Sequence, residues 1–235
     1  MAEIFGFEIK RKQETKPNSQ SFTAPTAEDG VQTIMGGGHF GTYLDQEGKI
    51  HNEADLVRRY REVSIHPECD MAIEDIINEA IVVDDKQEVV RLNVNNIPFS
   101  AAVKKRIGEE FENVIRLLEF EQKGHDIFRR WYVDGRIVYH KVIDPKNVKN
   151  GITELRYIDP RKIKKVRAPK SKEGNEFAPK DPNKPGSVEF EEFYIYNEKG
   201  VQAGASSTTG LKIAKDAIAH CVSGLVDQQR NMVLS

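Results

Sequence analysis

Acidic residues are the side chains of this sequence whose spacing comes nearest to a catalytic pattern. Asp84 and Asp85 are adjacent and could hold a divalent metal ion, and Asp134 with Asp144 could serve a nuclease. Asp134, Asp144 and Asp159, however, each precede a glycine or a proline, which is the chemistry of turns. Acid pairs at turns and helix ends are usually caps or solvated faces. We therefore predict no catalytic residue and keep a metal-dependent nuclease as the alternative enzyme class.

Histidine and cysteine spacing does not favour a metal site. None of the six histidines forms a pair four residues apart with a nearby carboxylate, which is the zinc-protease arrangement. His66 and Cys69 lie three residues apart, but no second ligand pair accompanies them. Cys69 and Cys221 are far apart and form no CxxC motif, so free thiols are favoured over a disulfide. The sequence predicts no bound metal.

The glycine-rich segments do not match a phosphate-binding loop. Residues 36–38 are three consecutive glycines, but no helix carrying Lys-Ser or Lys-Thr follows them. In the segment 204–212, GASSTTGLK, the spacing is one residue too long and Leu211 stands where the lysine belongs. Both segments are typical of flexible loops, and we predict no cofactor and no small-molecule substrate.

A dense basic run is the strongest candidate for a contact surface. Seven of the twelve residues at 161–172 are lysine or arginine: Arg161, Lys162, Lys164, Lys165, Arg167, Lys170 and Lys172. Such a run can contact DNA or an acidic partner, or can be a solvated strand end and linker. It contains no aromatic residue to stack on a base, which weakens a single-strand interpretation. We expect these side chains to be solvated.

Aromatic and turn residues just before this run are predicted to be architectural. Phe128, Trp131, Tyr132, Tyr139 and Tyr157 fit an aromatic helix face lying on a twisted sheet. The predicted architectural set also takes in the turns that bound the strands, and consists of Trp131, Tyr132, Asp134, Gly135, Tyr157, Asp159 and Pro160.

The elements that position these residues are helices first and strands afterwards. Helical spacing begins after Asn52, a suitable N-cap, and a second helix can begin at Pro67. The longest helix is predicted at 100–122, with Gly124 interrupting it before an aromatic end. Strands are predicted at 87–94, 136–143, 152–158, 163–166 and 188–196, whereas 213–222 fits either a strand or a short helix. This order indicates an α+β fold with a small, mostly antiparallel sheet.

The bulk composition indicates a soluble, rather polar chain. Of 235 residues, 38% are hydrophobic and 31% are charged, and the net charge of −2 argues against a general nucleic-acid coat. No apolar run has the length of a signal peptide or of a membrane helix, so we expect the chain to be made and used in a cytoplasm. Residues 1–50 are poor in periodic apolar positions, which predicts a flexible N-terminal arm, and residues 168–187 are predicted to be a linker.

The segment 113–167 resembles the portal vertex proteins, or head-tail connectors, of T-even-like contractile-tailed bacteriophages. The resemblance is carried by EFENVIRLLEF, by FRRWYVDGRIVYHKVID and by ELRYIDPRKIKKVR, and continues more weakly through GLKIAKDAIAHCVSGLVD at 210–227. It implies a non-enzymatic protein of the virion, assembled in the host bacterial cytoplasm or at the inner membrane face. It also implies that residues 51–235 form the wing part of such a protein.

The resemblance further implies the partners. Portal proteins of this kind form a ring of twelve copies at one capsid vertex and contact the major capsid protein and the scaffold, or prohead core. They dock the large subunit of the terminase, pass double-stranded DNA through the channel during packaging and ejection, and later join neck and tail-completion proteins. The stem, clip and crown of the family have no counterpart in this sequence, so we expect an N-terminal portion of a portal protein. A scaffold or adaptor that forms no ring is the third alternative.

Overall fold

The computed structural model describes residues 53–82, 89–169, 190–200, 210–227 and 232–235, together with the backbone of six short strands near the N-terminus. Four helices are α1 (Glu53–Val63), α2 (Pro67–Ala80), α3 (Ala101–Leu118) and α4 (Phe120–Asp134). The N-terminal strands are β1 (Glu3–Ile4), β2 (Phe7–Glu8), β3 (Gln32–Met35), β4 (Gly38–His39), β5 (Tyr43–Leu44) and β6 (Ile50–His51). The later strands are β7 (Arg136–Ile143), β8 (Ile152–Ile158), β9 (Ile163–Pro169), β10 (Phe190–Tyr196), β11 (Leu211–Ala214), β12 (Ile218–Val222), β13 (Val226–Asp227) and β14 (Met232–Val233).

The helix boundaries follow local chemistry. Pro67 opens α2 at its first position, as predicted, after His66 in an extended conformation. The hydroxyl oxygen of Ser100 accepts a hydrogen bond from the Val103 amide at 3.4 Å and caps α3. Gly135, with φ of +68°, ends α4 in the left-handed conformation that glycine adopts without strain.

The predicted interruption of the third helix at Gly124 is wrong. Glu119, with φ of +50°, separates α3 from α4, and Gly124 lies inside α4. A Cβ at Gly124 would lie 3.1 Å from the ring of Phe120, so this glycine makes room for the aromatic side chain one turn earlier. The position therefore has a packing role within the helix.

Two sheets carry most of the strands. One has three antiparallel strands in the order β12-β7-β8, and the other has five in the order β11-β10-β9-β3-β4. Within the second sheet β3 runs parallel to β9, and the other pairings are antiparallel. Helices α1, α3 and α4 contact the three-stranded sheet or the turn that follows it. The predicted α+β fold with mostly antiparallel pairing is confirmed.

The main apolar cluster joins the two sheets. Val138 of β7 and Ile218 of β12 pack with Ile163 of β9 and Tyr194 of β10, all at most 7% exposed. The segment 213–222, which fitted either a strand or a short helix, lies in β11, a short 3-10 turn and β12. Because β11 pairs with β10 and β12 pairs with β7, this segment crosses from one sheet to the other.

Two predicted segments have a different outcome. The strand expected at 87–94 is wrong for 89–94, where Asn93 accepts a hydrogen bond from the Asn95 amide and the backbone turns at 94–97 instead of pairing. Most of the predicted arm and most of the predicted linker lie outside the described residues, although β3 joins the arm to β9.

None of the described helices has the length and apolar character of a bilayer-spanning segment.

Candidate functional site

A polar cluster that joins distant elements of the described chain is centred on Arg61. Its guanidinium donates to both carboxylate oxygens of Asp134, at 2.8 Å from Nε and 2.6 Å from Nη2. It also donates from Nη1 to Asp159 at 3.1 Å. Asp134 is only 1% exposed, so its charge depends on this two-point contact. Arg61 thereby fastens α1 to the end of α4 and to the turn after β8.

Asp159 is the second carboxylate of this cluster. It precedes Pro160 and accepts the backbone amide of Arg161 at 2.9 Å and its Nη2 at 2.7 Å. Burial alone would raise the pKa of Asp159, but the hydrogen bonds from Arg161 and the charge of Arg61 outweigh burial and lower the pKa to about 2. The carboxyl is therefore an ionised cap and ion-pair partner near neutral pH.

Tyr157 closes the cluster from β8. Its ring lies 5.0 Å from the guanidinium of Arg130 and 6.0 Å, edge-on, from the ring of Tyr139. Burial and the nearby charge of Asp134 raise the pKa of Tyr157 to about 12. At neutral pH the phenol of Tyr157 is therefore protonated and cannot itself accept a proton.

An open cleft of about 500 Å³ lies beside these residues. Two of its three arginines are in ion pairs, because Arg61 binds two aspartates and Arg129 binds Asp70 and Glu74, each at 2.5 Å. The third, Arg130, lies over the ring of Tyr157. The hydroxyl of Ser64 donates to the Arg61 carbonyl at 2.9 Å. The ion pairs of Arg61 and Arg129 join α1 and α2 to α4.

The candidate nuclease carboxylates are engaged in other contacts. Asp134 is held by Arg61, whereas Asp144 accepts the Lys146 amide at 2.9 Å and the Asn147 side-chain amide at 3.3 Å. Asp84 and Asp85 lie outside the described residues. Among residues that the structure describes, no group of three or more histidine, cysteine or acidic side chains is close enough to hold a metal ion.

The basic run is divided between exposed and buried side chains. Arg167 and Lys165 are 5% and 8% exposed, and both bind Glu192 on the adjacent strand β10, at 2.5 and 3.3 Å. The expectation that the whole run is solvated is therefore wrong at these two positions. Register explains the pairing, since Arg167 lies directly opposite Glu192.

The remaining basic residues have different surroundings. Arg161 is exposed and binds Asp159, whereas Lys162 and Lys164 are half-buried. Burial lowers the pKa of Lys164. Lys170 and Lys172 lie outside the described residues. The part of the run available for a contact surface is thus the beginning, near the turn at Pro160.

The predicted architectural residues line the junction of α4, β7 and β8. Asp134, Gly135 and Pro160 are buried, whereas Trp131, Tyr157 and Asp159 are half-buried. Tyr132 is 36% exposed and stacks on Phe128 with 6.3 Å between ring centroids. The aromatic side chains of α4 therefore lie at the margin of the core.

Sequence reasoning missed the buried ion pairs that tie distant segments together. Besides Arg61, the buried Arg136 binds Glu53 at 2.6 Å and donates to the Val233 carbonyl at 2.9 Å. A signal existed for Glu192, since Glu191 and Glu192 begin a strand that can pair with the basic run. For Arg61 and Arg136 the partners are too far away in sequence to be read from spacing.

Comparison with known proteins gives one consistent family. Residues 53–235 match the family described as "Bacteriophage T4-like portal protein (Gp20)". The chain is 34% identical over 223 residues to a portal protein of Vibrio phage KVP40, an alignment covering 88% of this chain and 41% of that protein. It is 32% identical over 141 residues to a portal protein of Salmonella phage ViI, covering 60% of this chain and 25% of that protein. The chain thus spans less than half the length of these curated relatives.

Proposed function

This chain belongs to the T4-like portal protein family, and we propose that it supplies the α+β, wing-like part of a portal subunit and acts mechanically. The observation that carries the proposal is the extent of the family match. It covers 53–235, the residues that build all four helices and most strands of both sheets. The proposed boundary between the arm and this part is at residues 50–51.

The polar network supports a mechanical role. Arg61 joins positions 73 and 98 residues away, and Arg136 joins Glu53 to Val233. Separating a buried charge from its partner is costly, so these contacts resist relative movement of the elements that they connect. A rigid body of this kind is suited to transmit load between neighbours in an assembly.

The whole portal subunit is proposed to work as a ring of copies, twelve by the family resemblance, at one vertex of the capsid. Its partners are then the major capsid protein, the prohead scaffold, the large terminase subunit, and the neck and tail-completion proteins. Double-stranded DNA passes through the ring during packaging and ejection. The surface near Arg161 and Lys162 is the proposed contact with DNA or an acidic partner, and Lys170 and Lys172 of the same basic run lie outside the described residues.

Of the alternatives, an enzyme is disfavoured by the surroundings of its candidate carboxylates. A nuclease would need Asp134 to bind a metal ion, but both oxygens of that carboxylate receive hydrogen bonds from Arg61. An adaptor without a ring would share the same rigid body. It differs from a portal subunit in forming no ring and in its position in the particle.

An experiment that locates the chain in the particle therefore tests the proposal. An epitope tag is placed at the N-terminus of the chain in its gene, and purified heads are labelled with gold and imaged by electron microscopy. Label at a single vertex of each head is the expected result. Label spread over the shell, or heads without label while the tagged chain is expressed, would overturn the proposal. An unrelated tagged protein expressed at the same level controls for trapping.

A further inference from the structure

Helix α2 exposes a face that is both acidic and apolar. Only Ile77 of its fourteen residues is buried, whereas Met71 is 70% and Ile76 is 39% exposed. Met71, Asp75 and Glu79 recur every four residues and therefore form one stripe along the helix. Neither Asp75 nor Glu79 has an ion pair within the described part of the chain.

The charge at the C-terminal end of α2 is also poorly matched to its dipole. The helix contains five acidic residues and no basic residue, and two of the five lie favourably in the first turn. Glu79 lies in the last turn, where the helix dipole is negative and a cation would be favourable. Glu74 is paired with Arg129, whereas Asp75 and Glu79 form a negative surface without an ion pair in the described chain.

The beginning of α3 has the opposite character. Its first two turns carry three consecutive cations, Lys104, Lys105 and Arg106, and its first turn contains no acidic residue. The helix dipole is positive at this end, so these charges are poorly matched to it. Two apolar residues just before these cations, Phe99 and Val103, are 54% and 44% exposed. No residue of α3 is buried in the chain.

These two surfaces are not paired with each other by the ion pairs of the described residues. Both α2 and α3 pack on α4, and no ion pair joins α2 to α3 among the described residues. The ion pairs of α2 are made to Arg129 and His125 of α4, and the ion pair of α3 is the exposed contact of Lys105 with Glu109. Each surface therefore has apolar area and charge left for a partner.

We propose that the acidic C-terminal half of α2 in one copy of this chain docks on the basic beginning of α3 in a second copy. Charge complementarity selects this occupant, because each surface supplies what the other lacks. An antiparallel approach places the negative end of one helix dipole beside the positive end of the other. Exposed apolar side chains on both surfaces are covered by the same contact. The inference rests on the proposed function, in which copies of the chain are neighbours.

The symmetry of this contact has a structural consequence. In a ring, each copy uses α2 toward one neighbour and α3 toward the other. Such a head-to-tail contact builds a ring when its rotation closes. A two-fold dimer would instead make the α2-to-α3 contact twice between the same two copies, and would leave neither surface free for a third copy.

Disulfide trapping tests which surfaces meet. In a background with Cys69→Ser and Cys221→Ser, one preparation carries Ala80→Cys at the end of α2, and another, distinguishable by a size tag, carries Ala102→Cys at the start of α3. Both alanines are exposed, and the charged residues remain in place. The mixture of the two preparations should cross-link at least tenfold faster than either preparation alone. It should also cross-link at least tenfold faster than Ala80→Cys mixed with Ala219→Cys, a control at an exposed alanine of β12. Equal rates in all four samples would overturn the inference.

Charge reversal provides a second measurement on the same cysteine backgrounds. Asp75→Lys with Glu79→Lys on the Ala80→Cys chain should reduce cross-linking, and adding Lys105→Glu with Arg106→Glu on the Ala102→Cys chain should restore it. The matched control, Glu198→Lys with Asp216→Lys, reverses two exposed acids elsewhere and should have no effect. Equal loss with the control, or no restoration by the second reversal, would contradict the inference.

The outcome is separable from that of the proposed function. If the tagged chain labels one vertex but trapping stays at the control level, this contact is wrong and the portal assignment stands. If trapping is specific but heads carry no label, the contact stands and the portal assignment falls.

Discussion

Arg61, in the last turn of α1, and Asp134, the final residue of α4, are joined by two nitrogen-to-oxygen contacts of 2.8 and 2.6 Å across 73 positions of sequence. The carboxylate is buried and the guanidinium is 31% exposed, so the pair connects the interior to the cleft surface. Because Arg61 also binds Asp159, one side chain fixes three elements. Stability of the α1–α4–β8 junction is therefore expected to depend on a single cation.

Removing that cation should be strongly destabilising. Arg61→Ala leaves the buried Asp134 charge without its partner, and we expect the free energy of unfolding to fall by about 3–5 kcal/mol. Urea unfolding followed by circular dichroism measures the change. Arg58→Ala removes an exposed arginine one turn earlier that binds Asp55, and should cost less than about 1 kcal/mol. Equal losses for both variants would contradict the proposed role of Arg61.

The turn after α4 should tolerate only glycine. A Cβ at Gly135 would lie 2.4 Å from the Leu234 carbonyl oxygen, and φ is +68°. Gly135→Ala therefore adds a clash with the backbone beside β14 to the cost of a left-handed alanine, which is about 1–2 kcal/mol by itself. Gly224→Ala is the control, because φ is +83° there and a Cβ would meet no atom within 4 Å.

Thermal unfolding of the two alanine variants separates these terms. Gly224→Ala should show the cost of a positive φ alone, and Gly135→Ala should lose more stability because of the added clash. It should also increase amide exchange at Met232 and Val233, which are buried against this region. Similar melting temperatures for the two variants would indicate that the chain beside β14 moves away without cost.

Local patterns predicted much of the fold, and long-range charge pairing accounts for most of what they missed. Pro67 and Ser100 mark helix starts that the structure retains, because caps act within one turn. The break at Glu119 was not predicted, since its left-handed conformation is uncommon for a non-glycine residue. Periodicity reports which positions face inward, but it does not show which distant ion will neutralise a buried carboxylate.

The candidate site illustrates the same limit. Spacing identified Asp134, Tyr157 and Asp159 as residues of turns and packing, but their common partner Arg61 lies in a helix with no distinguishing motif. Likewise, the basic run was predicted to be solvated, whereas strand pairing places Glu192 opposite Arg167. Which residues of β9 are buried depends on register with β10, and 20 residues separate the two strands.

Acid should weaken the folded state through two carboxyls. The pKa values of Asp159 and Glu192 are about 2 in the folded chain, below their ordinary values of 3.8 and 4.5. Burial raises the pKa of Glu192, but hydrogen bonds from Lys215 and Arg167 outweigh burial. Because the folded pKa values are depressed, the ionised carboxyls stabilise the fold fully above about pH 5, and this stabilisation is lost as the pH falls toward 2.

A pH series of urea unfolding curves tests this dependence. The free energy of unfolding should fall between about pH 4.5 and pH 2, and Glu192→Gln should be less stable at pH 7 with a shallower decline in acid. Glu198→Gln, an exposed carboxyl in the turn after β10, is the control and should follow the parent. A Glu192→Gln variant with the parent's acid slope would rule out this carboxyl as a contributor.

Trp131 should be replaceable by phenylalanine at modest cost. Its indole nitrogen is buried without a hydrogen-bond partner, while its ring packs 5.5 Å from the ring of Phe128. Trp131→Phe removes an unsatisfied donor and keeps most aromatic contact, so we expect a loss below about 1.5 kcal/mol. Trp131→Ala should cost about 3 kcal/mol because the packed ring is lost. Equal destabilisation in denaturant unfolding would show that the indole nitrogen has a necessary partner.

The basic run should divide into structural and surface cations when each is replaced by glutamine. Arg167→Gln removes two hydrogen bonds to the Glu192 carboxylate, at 2.5 and 3.0 Å, from a position that is 5% exposed. Lys165 and Lys215 still form ion pairs with that carboxylate, so its charge keeps a partner. We therefore expect the free energy of unfolding to fall by about 1.5–3 kcal/mol. Lys162→Gln, in the turn before β9, should change stability by less than about 0.5 kcal/mol. DNA binding measured at several salt concentrations provides the complementary readout, because Lys162→Gln should lower the salt dependence of any affinity without unfolding the chain. If Arg167→Gln is as stable as Lys162→Gln, the contact with Glu192 does not stabilise the pairing of β9 with β10, and the run acts as the solvated surface that its composition suggests.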